Sequence, residues 1–141
     1  MLAQVSAHLR AAAGNPFIEI GTALSLAAAQ DNPPQRDPVA WVYPSAAAGE
    51  SSGRVNATRQ RITTRIGVVF YLRPRANDPG GGKSADPIER LYTWLRGALI
   101  GWVPDPATGN PMEFQRGYLA GLDEGGVFWA EEYAIDHYHR L

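Results

Sequence analysis

The segment NDPGGGKSADPIERL, residues 77 to 91, ends its glycine run at Gly82-Lys83-Ser84. This is the closing half of a phosphate-binding loop. In such a loop, glycines let backbone N–H groups turn in on the phosphates. The lysine reaches the outer phosphates, and the hydroxyl holds magnesium. The pattern requires a further glycine at position 77, which is Asn77, and Pro79 removes one N–H from the cradle. Asp86 has the character of an N-cap, with Pro87 in the first turn and Glu89 in capping-box position. That spacing starts the helix late and leaves Lys83 and Ser84 outside its anion-binding end. The segment therefore reads as a mobile surface loop.

Two other clusters offer chemistry. His137 and His139 are two apart on an expected strand, so their rings share a face, as a metal pair would. Glu131 is the nearby acid of the same parity, and His8 is distant; no third ligand emerges. Glu131 and Glu132 point to opposite faces, which makes them a poor pair for acid–base work. The chain has no cysteine, so thiolate nucleophiles, thiolate metal sites and disulfides are excluded. No serine stands in a nucleophile-elbow context. The expectation is a protein without catalysis, metal or cofactor.

The elements that position these residues come from a chain of 141 residues, the length of one domain. Thirteen basic against fourteen acidic residues leave no basic excess to announce a nucleic-acid surface. No run is long and apolar enough for a membrane span. The opening MLAQVSAHLRAAAGN interrupts its apolar positions with His8 and Arg10, so it reads as an amphipathic helix and not a signal peptide.

Leu2, Val5 and Leu9 recur at helical spacing until Gly14-Asn15-Pro16. FIEIG is a short strand or an extended lead-in. Thr22 caps an alanine-rich helix to about Gln30, and VAWVY forms a strand closed by Pro44. SAAAGESSGRVNA, residues 45 to 57, offers no core residues and reads as a long hairpin loop. From Thr58 to Leu72 one parity carries Ile62, Ile66, Val68, Phe70 and Leu72, so a long strand has one core face. In the next helix Ile88, Leu91, Tyr92, Leu95, Leu99 and Trp102 share a side, opposite Arg90, Thr93 and Gly97. EFQRGYLAGL and GVFWAEEYAIDHYH form a closing hairpin turned at residues 123 to 126. The order α-α-β-β-α-β-β predicts an α+β fold: a four-stranded antiparallel sheet of two hairpins, with about three helices on one face.

That layout leaves a second sheet face that is not simply polar. Val69, Tyr71 and Phe128 lie there beside Arg59, Arg61 and Arg65, and Glu132 and Asp136 have the matching parity on the last strand. A solvated face with cross-strand ion pairs worth little has this composition. So does a subunit interface, an apolar patch rimmed by charges of both signs. Trp94 stands at the edge of the helical core face and fits either environment.

The order and spacing of several segments resemble the tail terminator proteins of long-tailed bacteriophages, of the transposable-phage and prophage type. The segments are VSAHLRAA, DPVAWVYP, RQRITTRIGVVFYLR, LRGALIGWVP and MEFQRGYLAGLDEGGVFWAEEY, and they span nearly the whole chain. The resemblance implies a structural subunit of a hexameric ring that caps the tail tube, stops its polymerisation and faces the head–neck connector. Its implied partners are further copies of itself, the tail tube protein and the connector protein. Genomic DNA would pass through the lumen without sequence-specific binding, and no membrane is involved. The implied place is the head–tail junction of the virion, after assembly in the host cytoplasm. On this reading the two loops are docking arms, with Gly49, Glu50 and Arg54 in one and Asp78, Gly81 and Lys83 in the other. The charged face, with Arg59, Arg61, Arg65, Glu132 and Asp136, is the subunit joint. Two alternatives remain: another tail or neck component of similar fold, and a small nucleotide- or metal-dependent enzyme.

Overall fold

The computed structural model describes residues 1–49, 59–73, 82–107, 109–123 and 125–140, with backbone only at 59, 82–86, 139 and 140. Glu50, Arg54, Asp78 and Gly81 lie outside the described residues, as does the side chain of Lys83. The elements are α1 (Leu2–Ala11), β1 (Glu19–Gly21), α2 (Ala23–Asp31), β2 (Val39–Gly49), β3 (Arg59–Leu72), α3 (Gly82–Leu99), β4 (Glu113–Leu122) and β5 (Val127–Arg140). The fold is α+β.

The sheet has five strands in the order β1-β2-β3-β5-β4. It is mixed, where a four-stranded antiparallel sheet was expected. The added strand β1 runs parallel to β2, Glu19 to Gly21 against Val39 to Trp41, and the other pairs are antiparallel. Adjacent parallel strands need a crossover between them. Here α2 is that crossover, and it changes the layering.

Helices α1 and α3 cover one face. Val5 and Leu9 of α1 and Leu91, Leu95 and Leu99 of α3 pack on Ala40, Val42, Ile66, Val68, Phe70 and Tyr133. The parity that sets Ile66, Val68, Phe70 and Leu72 toward these helices holds, as does the apolar side expected for residues 88–102, but the strand does not have one core face: Val69 and Tyr71 of the other parity are buried as well. Helix α2 lies on the opposite face, where Leu26 and Ala29 meet Val39, Trp41, Val69, Tyr71, Phe128 and Ala130. The expectation of three helices on one face is therefore corrected. An alanine-rich helix has no strong apolar stripe to declare its side, so the crossover decides it.

Two boundaries also move. Strand β2 does not close at Pro44. A register shift between Pro44 and Ala46 carries it on to Gly49, opposite Ile62. Proline is tolerated in a strand at such an irregularity. The first residues of the expected loop thus lengthen a ribbon of β2, β3 and β5. Helix α3 begins at Gly82, with Pro87 inside it, and not at an Asp86 cap. Lys83 and Ser84 are then helical. Asn77 and the largely antiparallel sheet still separate this segment from a phosphate loop.

The α1–α3 contact uses residues with chemical potential as structural clasps. His8 stacks on Trp102 with ring centres 4.0 Å apart, and its Nε2 is 2.8 Å from the Ala98 carbonyl oxygen. Trp94 Nε1 donates to the Ala13 carbonyl at 3.0 Å, and its ring meets Phe17 edge-on. Trp94 belongs to the core edge.

Candidate subunit interface

Beyond the edge of α2, the second sheet face carries a polar network built on Glu132. Strand β5 turns this carboxylate away from the helices α1 and α3, and it is only 8% exposed. Arg116 of β4 grips it with Nε to Oε2 at 2.9 Å and Nη2 to Oε1 at 3.2 Å. The Tyr118 and Ser45 hydroxyls donate to Oε1 at 3.4 Å each. The Arg116 guanidinium also lies 4.7 Å from the centre of the Tyr118 ring. Tyr43 lies flat across β3 above Gly67, where an added Cβ would stand 2.1 Å from the tyrosine Cζ. Any side chain at position 67 would displace that ring.

Burial pushes the Tyr43 hydroxyl up to about 12, with smaller contributions from Tyr118 and Glu132. The hydrogen bonds from Arg116 hold Glu132 below its ordinary 4.5. Farther along the ribbon, Thr63 donates to Asp136 Oδ1 at 2.6 Å and Arg61 pairs with Oδ2. These bonds, Thr63 first, hold Asp136 below its ordinary 3.8. Asn110 Nδ2 donates to the Asp136 carbonyl at 2.8 Å, and a cleft of about 240 Å³ opens beside it.

Both carboxylates have lower pKa values folded than unfolded, so the unfolded chain binds more protons in acid. Their stabilisation is complete above the ordinary values and is lost as pH falls through the folded ones. Denaturation midpoints should therefore start to drop only as pH falls through the ordinary carboxylate values and keep dropping until the lowered folded ones are passed, and Glu132→Gln should make that drop shallower. Identical acid profiles for the variant and the parent would remove Glu132 from the account.

The five residues assigned to this face divide in the structure. Arg61 and Asp136 are brought together, and Arg65 is exposed one strand pair along from Thr63. Glu132 is taken by Arg116 instead of the β3 arginines. The side chain of Arg59 lies outside the description. Arg116, Tyr118, Tyr43 and Ser45 were not assigned from sequence; Ser45 fell beyond the expected strand end at Pro44, and for Arg116 and Tyr118 the reason is a register. Counting back from Leu122 opposite Val127, a regular ladder would set Arg116 opposite Tyr133, on the helical face. The shift between Leu119 and Gly121 sets it opposite Glu132. A one-residue slip moves a side chain to the other face.

The metal reading finds no support in its neighbours. His137 Nε2 is 2.9 Å from the Thr64 hydroxyl, and no group of three acids or histidines among the described residues could hold an ion. Glu131 is bound to Arg96. No helix among the described residues is long and apolar enough to cross a membrane.

The face has long strands, β4 at the end of the strand order, and charges of both signs around aromatic rings. A search of curated proteins returned no match. The family model described as phage tail terminator protein matches residues 2–141, nearly the whole chain. This protein belongs to the phage tail terminator family, a structural component of the phage tail.

Proposed function

We propose that the protein assembles as a hexameric ring on the end of the tail tube. The ring stops tube polymerisation and presents its other side to the neck of the filled head. The observation that carries this reading is the family match over residues 2–141. DNA would cross the lumen without base-specific contacts, consistent with a net charge of −1. Neither face of the chain supplies a catalytic constellation among the described residues.

The joint between subunits is assigned to the ribbon of β2, β3 and β5, at Arg59, Arg61, Arg65 and Asp136. Glu132 supports it from beneath as the anchor of Arg116. Two features support this assignment. Residues 44–49 are exposed along the ribbon, and β2 has no β1 neighbour beyond Trp41. An edge with unused backbone groups is a surface for another chain. Charges at such a joint fix register, and truncating one partner of a buried pair costs about 2–5 kcal/mol.

Reversing Arg61 and Arg65 together to Glu should leave a folded monomer that neither forms rings nor limits tail length. Phage carrying the change should make overlong or headless tails. Circular dichroism establishes the fold, and negative-stain microscopy counts rings and measures tails. A folded double variant with normal rings and tail lengths would move the joint away from this face.

A further inference from the structure

Two bulges line up across the sheet. Ser45 is the extra residue of β2, between Pro44 opposite Ile66 and Ala46 opposite Arg65. Gln115 is the extra residue of β4, between Phe114 opposite Tyr133 and Arg116 opposite Glu132. Ile66 pairs with Tyr133, so both bulges adjoin one row of residues. The next row pairs Gly67 with Glu132, which places a glycine on the same line in β3. A bulge bends its strand and raises the local twist, and a glycine permits a kink.

Burial changes at this line. In β3, residues 66–72 are all buried, and residues 60–65 are half-buried or exposed. Strand β2 is exposed from Pro44 onward, and β5 stays buried through Ile135 and opens at Asp136. Strand β4 stops at Glu113, opposite Ala134. Beyond the line runs an arm of β2, β3 and β5, residues 46–49, 60–65 and 134–138. Strand pairing holds it together, with internal bonds such as Thr63 to Asp136. A segment with few buried side chains moves at lower cost than the core.

Glu132 spans the line. It stands on β5, yet it holds both bulges: the Ser45 hydroxyl on one side, and on the other Arg116, the residue after Gln115. On β3 the residue between Glu132 and β2 is Gly67, which puts no side chain in the way. Asn110 makes a further tie to the arm, at the Asp136 carbonyl, but that bond does not join the bulges. We propose that the arm is hinged along the Ile66–Tyr133 row and that Glu132, by gripping Ser45 and Arg116 together, fixes its angle to the core. The arm carries Arg61, Arg65 and the exposed part of β2, so this angle sets where they point. That consequence rests on the ring joint proposed above; the hinge does not.

The test measures the angle directly. The chain has no cysteine, so spin labels can be placed through Ala48→Cys on the arm and Thr93→Cys on α3, both at exposed positions. Double electron–electron resonance is recorded on labelled chains diluted into unlabelled ones, so that only distances within one chain are read. The parent should give one narrow distance. Glu132→Gln should broaden it or shift its mean, and Ser45→Ala should do so to a smaller extent. Thr63→Ala removes a bond inside the arm and should leave the parental distance. Labels at Ala28 and Thr93, both on the core, should keep their distance in every variant. The proposal is overturned by a broad distance in the parent, by an unchanged one in Glu132→Gln, by an equal change in Thr63→Ala, or by a change in the core pair. Should Glu132→Gln not fold, Ser45→Ala decides alone, since it alters an exposed side chain and one bond; an unchanged distance there overturns the proposal. Rings counted by negative-stain microscopy of the unlabelled variants separate the hinge from the joint. A broadened distance with normal rings keeps the hinge and takes the joint off the arm. An unchanged distance with lost rings removes the hinge and leaves the joint in place.

Discussion

Arg96→Ala is expected to destabilise the protein by about 3–5 kcal/mol, the cost of leaving a buried charge without its partner. The Glu131 carboxylate is completely buried beneath α3. Arg96 meets it through Nε at 2.8 Å and Nη2 at 3.1 Å. Trp129 Nε1 donates at 3.0 Å and the Tyr133 hydroxyl at 3.4 Å. Gly117 makes the room: a Cβ there would lie 2.0 Å from Glu131 Oε2. The Arg96 guanidinium is held between the Tyr92 and Phe114 rings, 4.1 and 4.3 Å from their centres. Its hydrogen bonds to Glu131 raise its pKa above the ordinary arginine value, against the opposing effect of burial. The two partners differ in one respect that sets the size of the effect. Arg96 keeps 31% of its side chain exposed and can return to water, but Glu131 cannot. Arg96→Lys should recover part of the loss, since it restores charge without the planar fork. Urea denaturation midpoints with unchanged slopes measure this, and a loss of under about 1 kcal/mol for Arg96→Ala would show a carboxylate satisfied without it.

Leu95→Ala should cost about 2–5 kcal/mol, and Thr93→Ala, two residues away, under about 0.5 kcal/mol. Leu95 is fully buried at the centre of the α3 side that meets Val68, Phe70 and Tyr133, whereas Thr93 is exposed. Deleting the leucine removes its transfer free energy and leaves a cavity. The same denaturation measurement serves. Equal midpoints for the two variants would mean that α3 is rotated from the orientation described.

The charged face was legible in part. Arg61 and Asp136 have matching parity on neighbouring strands, and the structure pairs them. Glu131 was legible only as a same-face acid for a metal. Its position between Trp129 and Tyr133, on a buried parity, was the usable signal, because a buried acid requires a cation. Which cation it finds depends on how α3 lies across the sheet.

Sequence by itself determined the elements whose period is written in adjacent side chains. These are the alternation of residues 58–72 and 127–136, the apolar side of residues 88–102, the closing hairpin and the α+β class. It also carried the family. Tertiary structure alone decided that Glu19–Gly21 joins the sheet, that α2 crosses the second face, and that β2 continues through Pro44. It also decided that Arg116 takes Glu132 and that Arg96 takes Glu131. Periodicity is a local property, set by 3.6 residues per helical turn and two per strand repeat. Sidedness, bulges and ion-pair partners depend on which distant segments meet. A register shift of one residue, as at Leu119 to Gly121, changes the partner without changing the pattern.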